Sequence, residues 1–155
     1  MTISILSIGS SMPDWIHQGH NTFATRLSPP WNINLIDIPS LKRTKNRPIG
    51  AILTEEGERL WRSRPQPAFN IALDRQGKHL SSQDFAALLQ NNLAHGTGIN
   101  FFIGGPEGLS QDMIERANQC ISLSSMTFPH LLVRVILSEQ IYRARSIAIG
   151  HPYHR

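Results

Sequence analysis

Cysteine is almost missing from this chain. Cys120 is the one thiol among 155 residues, so no internal disulfide can form and no oxidising compartment is implied. Apolar runs long enough to span a membrane are missing as well. The start, MTISILSIGSS, has no basic segment ahead of its apolar run, which marks a strand and not a signal peptide. Repeats and low-complexity stretches do not occur. These absences predict a cytoplasmic protein with no membrane partner.

Several motifs of familiar chemistry are lacking too. There is no cysteine pair and no HExxH, and no acidic cluster flanks the histidine pairs at i,i+3, His17/His20 and His151/His154. Zinc sites need better spacing than that, so no metal is expected. Charge is sparse: 17% charged residues against 40% hydrophobic ones is the balance of a folded chain, not a disordered one. Fifteen basic and 11 acidic residues leave a net charge of +4. That surplus admits an anionic partner without requiring one. The length suits one domain over residues 1–155 with a core of its own.

What is present is an alternation of strand and helix patterns. Strands are expected at Ile3 to Gly9, at Ile33 to Ile38 with clear alternation, at Phe69 to Asp74, at Ile99 to Gly105, and from Cys120. The strongly apolar run INFFIGG, without alternation, is that of a central strand covered on both faces. Helices are expected between them. The first runs from Asp14 to Leu27, with Trp15, Phe23 and Leu27 in the core. The second, AILTEEGERLWR, is expected to break or strain near Gly57. A third is capped by Ser81 or Ser82 and buries Phe85, Leu88, Leu89 and Leu93. A short fourth starts at Ser110, and the longest pattern follows Pro129. This order predicts an α/β fold with a mostly parallel sheet flanked by helices. Ligands of such sheets sit at the carboxyl ends of strands, here the loops after Asp74, Ile103 and Leu123.

Each candidate feature has an ordinary alternative. The loop IGGPEGLS, Ile103 to Ser110, is a ligand-approaching backbone or simply a tight turn needing positive φ; it matches neither GxGxxG nor the P-loop. LSSMTFPH, Leu123 to His130, holds a mixed ligand or is a helix start capped by Thr127. Glu139 and Arg143 stand at helical salt-bridge spacing, with Arg134 further back on the same helix; such pairs are usually solvated. The run KRTKNR, Lys42 to Arg47, is a solvated loop or a phosphate contact. The terminal GHPYHR is a docked strap with Tyr153 in a notch, or it carries His154 and Arg155 into a site.

Taken together the pieces are more specific. SIGSSMPDW, EGERL, LDRQGK, FFIGGPEGLS, SLSSMTFPHLLVRV, EQIYRA and PYHR occur in one order at one spacing across essentially the whole chain. In this the sequence closely resembles the RlmH family, bacterial methyltransferases of the SPOUT class that act on a pseudouridine of 23S ribosomal RNA. The resemblance implies a SPOUT-type sheet with a deep trefoil knot at its C-terminal end, a homodimer, and S-adenosyl-L-methionine as cofactor. The implied reaction is methylation of pseudouridine N3 on the assembled ribosome. By matching motif, the implied cofactor positions are Leu73, Gly104, Leu123, Ser124, Ser125, Met126, Thr127 and Phe128. The implied active-site residues are His130, Glu139, Arg143, Tyr153, His154 and Arg155. Lys42, Arg43, Lys45 and Arg47 are expected to hold the RNA. Two other readings are a SPOUT enzyme acting on transfer RNA and a non-catalytic ribosome-binding protein.

Overall fold

The computed structural model describes every residue except Ser10. The chain runs β1 (Thr2–Ile8), α1 (Asp14–Ala24), β2 (Asn32–Ile38), α2 (Ile49–Ser63), β3 (Ala68–His79), α3 (Ser82–Ala94), β4 (Gly98–Ile103), α4 (Gln111–Arg116), β5 (Gln119–Ser122) and α5 (His130–Ala148). A single tight turn, Pro152–His154, closes it. The five strands form one sheet in the order β2-β1-β4-β3-β5, and every pairing is parallel.

Strand alternation divides the core into two layers. Ile5, Phe101 and Ile71 are register partners across β1, β4 and β3, and they face Phe85 and Leu89 of α3 and Leu137 and Ile141 of α5. Their neighbours Leu6, Phe102 and Ala72 point the other way, onto Leu60 of α2 and Met113 of α4. Each fully buried aliphatic or aromatic side chain contributes about 1.5–3 kcal/mol. β4, central and buried from Ile99 onward, is the covered strand its apolar run predicts, while alternating β2 lies at the edge.

The helix starts follow their caps. The Ser81 hydroxyl accepts from the Asp84 amide at 3.0 Å and Ser110 from the Met113 amide at 3.3 Å. Thr127, by contrast, does not cap α5; the chain enters that helix through Pro129.

Three expectations need correction. Trp15 is 62% exposed, because Ile16 and His20 make the buried face of α1 and Trp15 points aside from it. α2 does not break at Gly57: a Cβ there would lie 2.7 Å from Met113 Cγ, so glycine permits the close crossing with α4. β3 does not stop at Asp74. It bulges over Arg75, Gln76 and Gly77, with Ile121 of β5 paired first to Leu73 and then to Lys78. Asp74 Oδ1 accepts from the Gln76 amide at 3.0 Å inside the bulge. Gly77 has no room for a Cβ, which would lie 2.5 Å from the Ile121 carbonyl carbon.

Candidate active site

Strands β4 and β5 end on one edge of the sheet, and β3 between them bulges there after Leu73. The segments leaving them enclose a cleft of about 830 Å³. Leu73, Asp74 and the bulge form one wall, Ile103 to Leu109 a second, and Ser122 to His130 a third. The second wall is built on glycine. A Cβ on Gly104 would lie 2.3 Å from the Gly108 carbonyl carbon, and Gly108 itself has φ +81°. Backbone stands against backbone here, so the turn closes without room for a side chain at Gly104.

Of the residues expected at a cofactor, Leu73, Gly104, Leu123, Ser124, Met126, Thr127 and Phe128 line this cleft. Ser125 sits between them in the same loop, exposed. His130 begins α5 at the cleft margin. Burial, then the Arg134 and Arg43 charges, pulls its imidazole below the usual range, against Glu107. It is therefore a neutral imidazole at neutral pH, able to accept a proton.

The tail lies elsewhere. Tyr153 donates its hydroxyl to Glu139 Oε1 at 3.1 Å and packs edge-on against Tyr142. Burial first, then the Glu139 hydrogen bond, raises the Tyr153 phenol pKa. Arg143 donates to the same Glu139 oxygen through Nε at 2.9 Å and Nη2 at 2.6 Å, and its guanidinium carbon stands 5.0 Å from the Tyr153 ring centre. His154 Nδ1 donates to the His151 carbonyl, which leaves Nε2 as the acceptor of a neutral ring. Arg155 is exposed. The structure thus brings Glu139, Arg143 and Tyr153 together, but not beside His130. Nine residues at 1.5 Å and 100° each set Glu139 about 14 Å along α5 from His130 and on its opposite side.

The basic segment divides. Lys42 and Lys45 are exposed. Arg47 pairs with Glu55, and Arg43 pairs with Glu56 and Glu107. Among the described residues no group of three histidines, cysteines or acids is placed to hold a metal.

Sequence reasoning gave no role to the side chain that ties the site together. Arg134 is fully buried. It donates through Nε to Ser7 Oγ at 3.1 Å, through Nη2 to the Gly9 carbonyl, and stands 2.7 Å from Asp37 Oδ1. Burial lowers its pKa and Asp37 opposes the shift. The start of α5 is thereby pinned to the ends of β1 and β2. Its signal was present: a charge between Val133 and Val135, one turn after His130. Glu56 and Glu107 were passed over as members of EGERL and GGPEG.

The comparisons agree with this geometry. A family model described as "Predicted SPOUT methyltransferase" matches residues 1–154. Relatives named ribosomal RNA large subunit methyltransferase H include those of Thioalkalivibrio sulfidiphilus, 40% identical, and Legionella pneumophila, 41% identical. Each alignment covers 100% of this chain and 99% of the relative. A solved structure described as a probable methyltransferase from Bordetella pertussis superposes with a TM-score of 0.59 at 13% identity. It covers 92% of this chain and 93% of that one; at that identity the likeness is one of fold. A parallel sheet with its cleft at the ends of β4 and β5 and the bulge of β3 is here the framework of a SPOUT methyltransferase. Within that class, the chain belongs to the ribosomal RNA large subunit methyltransferase H family.

Proposed function

We propose that this protein methylates N3 of a pseudouridine in large-subunit ribosomal RNA, in the cytoplasm and on the assembled ribosome. In this reading it uses S-adenosyl-L-methionine and works as a homodimer. The observation that carries the reading is the glycine-walled cleft at the ends of β4 and β5 and the bulge of β3. Its makeup fits the cofactor: Leu73, Leu109, Leu123 and Phe128 supply apolar walls, and the Gly104–Gly108 turn supplies main-chain donors and acceptors. The knot is part of the proposal, supported by the shared SPOUT class.

S-adenosylmethionine supplies, when bound, a methyl group on a sulfonium. The protein's task is to hold the acceptor nitrogen in line and to remove its proton. N3 of pseudouridine is an imide nitrogen, so its proton must leave at or before attack. His154 is suited to take it, since its Nδ1 is engaged with the His151 carbonyl and Nε2 is the free acceptor. Arg143 is oriented by Glu139, and it stabilises the developing imide anion together with Arg155. Tyr153 holds the tail in place through its hydroxyl. These groups lie away from the cleft of their own chain, which favours delivery into the cleft of a second copy.

Methyl transfer to ribosomes lacking the modification, with the nucleoside mapped by mass spectrometry, tests the reading. Label confined to N3 of one large-subunit pseudouridine supports it. Label in transfer RNA, or no affinity for S-adenosylhomocysteine in a calorimetric titration, overturns it.

A further inference from the structure

Arg43 was expected to meet phosphate, and in the structure it is engaged by two carboxylates. Nη1 stands 2.5 Å from Glu56 Oε1 and Nη2 stands 2.7 Å from Glu107 Oε2. These two hydrogen bonds, Glu107 first, raise the Arg43 pKa. The two acids leave the cluster with a net negative charge, so an arriving phosphate would have to displace a carboxylate and face another.

The two acids have different roots. Glu56 is 2% exposed on α2 and is fixed by the Leu41 amide, which donates to its Oε1 at 3.0 Å. Glu107 is on the glycine turn and lines the cleft. Arg43 also closely approaches that turn: its Nη2 is 3.4 Å from the Cβ position that Gly105 lacks. A buried anchor, a guanidinium fork and a glycine-rich turn are thus joined in series.

We propose that Arg43 is a positioning residue for the cleft, a clasp that holds the Gly104–Gly108 turn in its ligand-ready shape by bridging Glu107 to buried Glu56. The basic segment bearing Lys42 and Lys45 is tied to the cleft wall by the same clasp. The inference deepens the proposed function and rests on it only where cofactor affinity is read.

The test cuts the clasp on its exposed side. Glu107→Ala leaves the Arg43–Glu56 pair intact, so the fold stays, with melting within about 4 °C of wild type. Amide hydrogen exchange of residues 104–109, measured without ligand, is expected to quicken about 10-fold, and S-adenosylhomocysteine binding to weaken about 10-fold. Arg43→Lys, whose ammonium cannot fork onto both acids, is expected to quicken the same amides. Unchanged exchange in both variants overturns the proposal. Weakened binding with unchanged exchange overturns it too, because Glu107 would then touch the ligand directly. If wild-type protein fails to bind S-adenosylhomocysteine, the cofactor reading falls, and the exchange arm still decides the clasp.

Discussion

The Tyr153 hydroxyl donates to Glu139 Oε1 at 3.1 Å, and this bond folds the tail back onto the middle of α5. The tail is therefore ordered on the opposite side of the helix from His130. A cleft needing these residues must borrow them from another chain. Mixing two inactive variants tests this directly: His130→Ala, which damages the cleft, and a deletion of Tyr153 to Arg155, which removes the tail. Random pairing makes half the dimers mixed, with one intact composite site each, so activity is expected at about a quarter of wild type. No recovery on mixing places tail and cleft in the same chain.

Arg134 has no exposed atom to spare, and replacing it leaves polar partners behind. Arg134→Met would strand Ser7 Oγ, the Gly9 carbonyl and Asp37 at the root of the site. A loss of about 3 kcal/mol in urea unfolding is expected. Arg134→Lys keeps the charge but not the fork, and about 2 kcal/mol is expected for it. Equal stability of Arg134→Met and wild type removes the pin from this description.

Gly104→Ala should act on the cleft through sterics alone. The new methyl would meet the Gly108 carbonyl carbon at 2.3 Å, and backbone on both sides cannot step aside cheaply. Overpacking of this kind costs about 1–3 kcal/mol. We expect S-adenosylhomocysteine affinity to fall more than about tenfold while the far-ultraviolet spectrum is kept, since the sheet itself does not depend on the turn. Tight binding by Gly104→Ala would show that the turn yields.

Lys42 and Lys45 are the exposed cations of the basic segment. Their joint reversal to glutamate should weaken ribosome binding and lower the log–log salt slope by about 2, one unit per lost phosphate contact. The same change at Arg47 should matter less, because Glu55 already engages it. Ribosome affinity that ignores the lysine reversal sends the search for the contact surface elsewhere.

Some of this was legible in the residues. INFFIG announced a central strand because it is apolar on both faces apart from Asn100, whose buried amide donates to the Pro65 carbonyl and Asn70 Oδ1, and both layers of the core cover β4. The loops after Ile103 and Leu123 were legible from strand and helix order alone, whereas the expected loop after Asp74 is a bulge inside β3, set by its pairing with Ile121 of β5. Trp15 was not, because a large aromatic at helical spacing looks like core until the neighbouring helix fixes the face, and α5 packs instead on the Ile16 and His20 side. Gly57 was misjudged for the same cause: its use lies in Met113, 56 positions away in the chain. The Arg43 clasp and the Arg134 pin are contacts between distant segments. Their charges were visible, but charge alone does not say which partner lies opposite.

His20 gives the fold a definite response to acid. Its ring is 5% exposed, and Nδ1 stands 2.7 Å from Ser138 Oγ. Ser138 gives its own proton to the Arg134 carbonyl at 2.7 Å, so Nδ1 must donate. Burial first, then the charges of His17 and Arg134, lowers the His20 pKa from 6.5, with Asp37 opposing. The unfolded chain consequently binds this proton more readily than the folded one. Stability from the neutral ring is full above pH 6.5 and is lost as pH falls from there through the lower folded value. His130 is shifted the same way and adds to the slope. Urea unfolding between pH 8 and pH 5 should show stability declining below about pH 6.5. His20→Gln, whose amide can still donate to Ser138, should flatten the decline to the part left by His130. A slope unchanged in that variant would show that His20 does not titrate on unfolding.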